Sequence, residues 1–203
     1  MNIFICGQRS FGKAVMVELH ERGHTIVGVA PPPHENDPIA IAAWKLQIPI
    51  IGDCAKLTPA QIPEGTDLII AAHSHWHIGE KIMQRAKYGC IGFHPSLLPR
   101  HRGVDAVRWA VAMGDAITGG TVYWLDDTVD GGDVLLQTPV FIGRAWDYHR
   151  LWREMFPLGV DMLCRAVDMI AAGTAPRIPQ DGQFATWEPA YEARRLARND
   201  GSG

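Results

Sequence analysis

Cysteine is scarce in this 203-residue chain, and its four copies, Cys6, Cys54, Cys90 and Cys164, form no CxxC pair and no metal-ligand spacing. That excludes a disulfide framework or a cysteine-built zinc site, and it points to reduced, mostly buried thiols in a cytoplasmic protein. Charge of one sign is also in short supply: 19 Lys and Arg against 22 Asp and Glu leave a net −3 and a pI near 6.3. Without a basic surplus there is no field for general nucleic-acid binding, although a local anion site stays open. No run approaches the ~18 apolar residues of a membrane span, and residues 1–7 lack the basic flank and cleavage site of a leader. Repeats and low-complexity tracts are absent as well. What is present is 47% hydrophobic residues, enough for one well-buried domain with little left for a second. The expected partner is a small molecule, with neither nucleic acid nor membrane, and a homodimer is left open.

Asn2-Ile3-Phe4-Ile5-Cys6 is a β-rich run closed by Gly7, Ser10 can cap a helix through Leu19, and Thr25 to Val29 is a second strand. Strand, helix and strand in about thirty residues make a βαβ unit with parallel, doubly buried strands. Pro31 to Pro33 end it. Asp37-Pro38 starts another helix with an apolar face from Ile39 to Leu46, Pro49-Ile50-Ile51 is a short strand, and Asp67 to Ala72 is the clearest central strand. Gly79 to Lys87 is expected to be helical.

A strand through Cys90 and Ile91 should stop at His94, because Pro95 forces the preceding residue towards an extended conformation. Val104 to Met113 has helical spacing, and Gly114-Asp115 with Gly119-Gly120 mark turns before a strand at Thr121 to Leu125. Val134 to Ile142 is its antiparallel partner. Trp146 to Ala172 is the longest helix, which Pro157 should kink or split, and the tryptophans at 109, 124, 146 and 152 are taken as packing. Residues 174–189 form a proline-punctuated strap, Glu192 to Asp200 a charged helix, and Gly201-Ser202-Gly203 is expected to be an expression remnant. The expected fold is α/β, a mostly parallel central sheet with antiparallel strands added in the second half.

The chemistry concentrates in two segments. Phe93-His94-Pro95-Ser96-Leu97-Leu98-Pro99-Arg100-His101-Arg102-Gly103 supplies an imidazole at a sheet edge, and Thr128-Val129-Asp130-Gly131-Gly132-Asp133 supplies a carboxylate in a tight reversal. Such a pair can stabilise an oxyanion and move a proton. Either alone is an ordinary turn feature, since His-Pro and Asp-Gly-Gly both suit loops. Asp133 is the lesser candidate for the acid.

The HPSLLPRHRG run with a correctly spaced DGGD resembles the folate-dependent formyltransferase family. Gly7-Gln8 with Phe11-Gly12, Trp124 with Asp126-Asp127, Phe156-Pro157-Leu158-Gly159 and Ala175 to Gln180 follow in family-like order, so the likeness covers nearly the whole chain. It is strongest towards the formyl-cleaving domains of 10-formyltetrahydrofolate dehydrogenases. The resemblance implies a Rossmann-like formyltransferase fold over residues 1–189, with 190–203 as a charged tail, and 10-formyltetrahydrofolate as donor. It further implies a catalytic Asn-His-Asp set, of which His94 and Asp130 match two members. Gly92 stands where the family asparagine lies, which predicts a slower reaction and opens space for a water. It also implies donor contacts at Trp76, His77, Ile78, Leu97 and Asp127.

Formyl transfer to an amine of a small-molecule acceptor is therefore the first expectation. Hydrolysis to formate and tetrahydrofolate is the second, and a non-catalytic folate-binding protein the third. Arg9 and Ser10, at a strand-to-helix turn that is not GxGxxG, and Arg100 are the acceptor-binding candidates for a phosphate or carboxylate. Family members that formylate methionyl-tRNA carry a further C-terminal domain, which disfavours that acceptor. His73-Ser74-His75-Trp76-His77 could hold a metal through alternate strand residues, yet lacks a second ligand cluster, so the folate-loop reading is preferred.

Overall fold

The computed structural model describes residues 1–33, 36–51, 56–74 and 76–191. Strands β1 (Asn2–Gly7), β2 (Thr25–Ala30), β3 (Leu68–Ala72), β4 (Cys90–His94), β5 (Ile117–Trp124) and β6 (Val134–Phe141) form a single sheet in the order β2-β1-β3-β4-β5-β6. The first four pair in parallel, and β5 pairs antiparallel with both β4 and β6. β1, β3 and β4 are buried almost throughout, as strands covered on both faces must be. Helices α1 (Arg9–Glu21), α2 (Pro38–Lys45) and α5 (Tyr148–Ala171) pack with one face of the sheet, while the short α3 (Glu80–Met83) helps cover the other. Helix α4 (Ala106–Met113) contributes Ala110 to a smaller cluster with Leu151 and Met155 of α5. Among the described residues, no helix is long and apolar enough to cross a membrane.

Several expected elements change form. Pro49-Ile50-Ile51 reduces to a single bridge between Ile50 and Val29, and the helix expected over Gly79 to Lys87 is confined to α3. Gly119-Gly120 lies inside β5 rather than in a turn. A Cβ on Gly119 would collide with the Thr138 carbonyl oxygen, and one on Gly120 would meet Phe93 Cε2 at 2.6 Å, so close packing explains both glycines. Helix α5 runs unbroken through Pro157. Pro157 and Arg153, whose carbonyl loses its partner, are both exposed, so water can satisfy that oxygen and the usual penalty falls. Gly159, one turn of the helix away from Met155, leaves room for the Phe93 and Phe11 rings.

The order β2-β1-β3-β4 places a topological switch between β1 and β3, where chain leaves the carboxyl edge in opposite directions. A crevice at that edge is the usual ligand position in open α/β sheets. The strap after α5 then crosses to the same edge. Thr186 donates its N–H to the Pro99 carbonyl and accepts the Arg102 N–H, and its hydroxyl accepts the His101 N–H at 2.8 Å. Tyr191 continues the attachment, with its ring edge-on to Trp109 and its N–H donating to Asp105. The charged helix expected at Glu192 to Asp200 lies outside the described residues.

Candidate active site

Pro95 stops β4, leaving His94 at the carboxyl edge of the sheet with 6% of its surface exposed. Its Nε2 is 2.6 Å from the His101 carbonyl oxygen. A carbonyl can only accept, so Nε2 carries the proton and donates. In the neutral ring Nδ1 is then bare, and it faces Asp130 Oδ2 at 3.5 Å. Burial pushes the His94 pKa below its ordinary value, opposed in part by the Asp130 charge and the His101 carbonyl. The resting imidazole is therefore neutral at physiological pH.

Asp130 occupies the loop between β5 and β6 with φ of 52°, a left-handed conformation that aspartate tolerates better than most residues. Its Oδ2 accepts the Gly103 N–H at 2.7 Å and its Oδ1 accepts the Tyr123 hydroxyl at 2.6 Å. Gln180 of the strap fastens the same turn from behind: its amide donates to the Asp130 and Gly132 carbonyls while its oxygen accepts from the Arg102 guanidinium. His101, 2% exposed, has its ring between Asp115 Oδ2 at 2.9 Å and Glu188 Oε2 at 3.1 Å, which anchors the residue whose carbonyl holds His94.

Both groups line one cavity of about 1090 Å³, which also reaches Gly92, Arg9, Ser10, Trp76, His77, Ile78 and Asp127. Leu97 and Arg100 lie outside it. Leu97 packs into the notch at Gly119, and Arg100 turns outwards to Asp115 at 3.5 Å. The space expected above Gly92 is largely filled, since a Cβ there would meet Leu125 Cδ1 at 2.8 Å and Tyr123 Cε1 at 3.4 Å. The Trp76 indole donates to the Pro31 carbonyl at 3.1 Å, which fixes the wall that Trp76, His77 and Ile78 present. His75 is outside the described residues, and among the described ones no three metal-ligating side chains converge.

The α1 end of the cavity is already neutralised. Both Asp37 oxygens lie 3.0 Å from the Arg9 N–H, Asp37 also caps α2 through the Ile39 N–H, and it is 7% exposed. Sequence reasoning missed this carboxylate as a competitor for α1, although Asp37-Pro38 marks it as a cap. It also missed Tyr123, Gln180 and the aromatic wall of Trp152 and Phe156, which lines the cavity as well as packing on Phe11. The i, i+4 spacing of Trp152 and Phe156 was the available signal.

The chain has relatives among known proteins. The family described as Formyl transferase matches residues 55–167. Cytosolic 10-formyltetrahydrofolate dehydrogenase of Xenopus laevis is 37% identical over 212 residues, covering 98% of this chain and 24% of the relative. The chain thus spans about a quarter of the length of that relative. Among solved structures, an N-formyltransferase from Helicobacter canadensis in complex with folinic acid and dTDP-3-aminofucose superposes with a TM-score of 0.78 at 13% identity, covering 93% of this chain and 70% of the other. Glycinamide ribonucleotide transformylase 1 from Symbiobacterium toebii gives 0.73 at 19% identity, covering 89% and 93%. The chain belongs to the formyl transferase family.

Proposed function

We propose that this chain takes the formyl group of 10-formyltetrahydrofolate and transfers it to an amine of a small-molecule acceptor in the cytoplasm, using His94 and Asp130. The observation that carries the reading is the bare Nδ1 of His94, 3.5 Å from Asp130 in a cavity large enough for a folate and an acceptor together. The folate and amino-sugar nucleotide bound to the Helicobacter canadensis relative support the same pairing of donor and acceptor. Trp76, His77, Ile78 and Asp127 would meet the donor, and Arg9 and Ser10 the acceptor.

In this reaction the amine nitrogen bonds to the formyl carbon while the carbonyl electrons move onto the oxygen. The amine proton passes to His94 Nδ1, and the imidazolium is balanced by Asp130. Its Nδ1–H then supports the oxyanion and returns the proton to the folate N10 as the C–N10 bond breaks. The products are the formamide and tetrahydrofolate.

Hydrolysis is the second reading, and Asp37 is the observation in its favour. A buried carboxylate bonded to the first N–H of α1 occupies the helix end that would otherwise receive an acceptor phosphate. Water would then take the place of the amine, giving formate and tetrahydrofolate. One assay separates the readings: protein with 10-formyltetrahydrofolate, first alone and then with a panel of amines, following tetrahydrofolate and free formate. Turnover only with a particular amine supports transfer, and formate without any amine supports hydrolysis. Binding of the folate with neither product would sink both and leave the non-catalytic alternative.

A further inference from the structure

The His94–Asp130 pair has no side chain from position 92 beside it, but it has a phenol. Gly92 contributes no side chain, yet the cross-strand residue directly opposite it on β5 is Tyr123. The Tyr123 ring and Leu125 together occupy the volume a side chain at 92 would need. From that position the phenol reaches Asp130 Oδ1 at 2.6 Å, whereas Oδ2 is left to the Gly103 N–H and to His94. The carboxylate is thereby divided into one oxygen that is held and one that faces the imidazole.

We propose that Tyr123 is the positioning residue that completes this site in place of a side chain at position 92, fixing Asp130 so that its second oxygen governs the protonation of His94. This rests on the proposed reaction for its catalytic consequence, but the coupling of Tyr123, Asp130 and His94 stands on geometry alone. The phenol has a single proton, and that proton is committed to Asp130. Tyr123 therefore acts through the carboxylate rather than on the formyl group. Burial, and then the Asp130 charge, push the Tyr123 pKa well above its ordinary value, so the hydroxyl stays a donor throughout the working pH range. A hydrogen bond to a carboxylate draws off part of its negative potential. Removing that bond should strengthen the field at His94 and leave the carboxylate free to rotate.

Tyr123→Phe keeps the ring over Gly92 and deletes only the hydroxyl. In the full chain without folate, the His94 ring nitrogens are titrated by NMR in the native protein and in the variant. The expected result is a His94 midpoint at higher pH in Tyr123→Phe and at lower pH in Asp130→Asn, with no further movement when Tyr123→Phe is added to Asp130→Asn. An unmoved midpoint in Tyr123→Phe, or the same movement in the Asp130→Asn background, overturns the proposal. Should Tyr123→Phe not fold, incorporation of 3-fluorotyrosine provides a stronger donor at the same place, and the midpoint should then fall; no change would be equally fatal.

With 10-formyltetrahydrofolate, Tyr123→Phe should lower kcat by about tenfold, the size expected for one hydrogen bond to a charged group, with KM within about twofold and the acid limb displaced upwards with His94. A purely structural role would lower the folded fraction without moving that limb. If the native protein does not cleave this folate, the reaction proposed above fails while the titrations still decide the role of Tyr123.

Discussion

Two aspartates, Asp130 lining the cavity and Asp37 behind the Arg9 N–H at the start of α1, differ in what their neighbours leave available. Asp37 points both oxygens at the Arg9 N–H and caps α2 through Ile39, so its hydrogen bonds are spent on backbone at the junction of two helices, and His73 feels its charge without being bonded to it. Asp130 also accepts a backbone N–H, from Gly103, but its remaining partners are a phenol and an imidazole with a bare nitrogen. Burial alone does not separate a structural carboxylate from a reactive one; the partners do. Where the donors are backbone amides of regular elements, the acid closes a fold. Where a titratable side chain faces it, protonation can move.

The largest expected effect tests the proposed catalytic pair. His94→Ala and Asp130→Ala should each reduce turnover of 10-formyltetrahydrofolate by roughly 10²–10⁴-fold, with folate affinity by fluorescence or calorimetry little changed. Near-native rates in either would remove the distinction between the two aspartates. Asp37→Ala should instead cost stability, about 1–2 kcal/mol for a lost cap and a second unpaired N–H, or roughly 2–8 °C of melting temperature at this chain length. Its rate per folded molecule should be preserved if transfer to an anionic acceptor is not the reaction. A gain with phosphate-bearing amines would show that Asp37 excludes them.

pH dependence sharpens the contrast further. The folded pKa of His94 lies below the unfolded value of about 6.5, so the neutral ring's contribution to stability is fully present above that pH. It is lost as pH falls through the lowered folded value. Denaturant midpoints should therefore decline on acidification more steeply in the native chain than in His94→Gln, and equal slopes would contradict the assignment. The smallest effect is expected at Arg100→Ala, whose half-exposed pairing with Asp115 is worth at most about 1 kcal/mol. Its KM for any amine acceptor should be unchanged, because the side chain points away from the cavity.

How far the sequence was legible follows from the kind of contact involved. That His94 and Asp130 share one cavity was expected from the resemblance of their two motifs, and the proline and glycine beside them account only for the local backbone that places each at the end of a strand. The parallel sheet was legible from unbroken apolar runs such as Leu68 to Ala72. Tyr123 was not, since its role depends on facing Gly92 across two strands in a particular register. The Gly119-Gly120 pair was misread as a turn because close approach to Thr138 and Phe93 leaves the same residue type as a chain reversal does. Leu97 and Arg100 sit within a strong motif, yet motif membership fixes only the backbone path; side-chain direction comes from Gly119 and Asp115 elsewhere in the chain.

The strap also makes the imidazole's tautomer a long-range property. Thr186 grips the His101 amide from 85 positions downstream, and the His101 carbonyl decides which nitrogen of His94 is bare. Nicking the polypeptide near Thr186 should therefore spare the six strands while randomising that choice, so that loss of the tail would register first as a scrambled proton inventory and only later as unfolding.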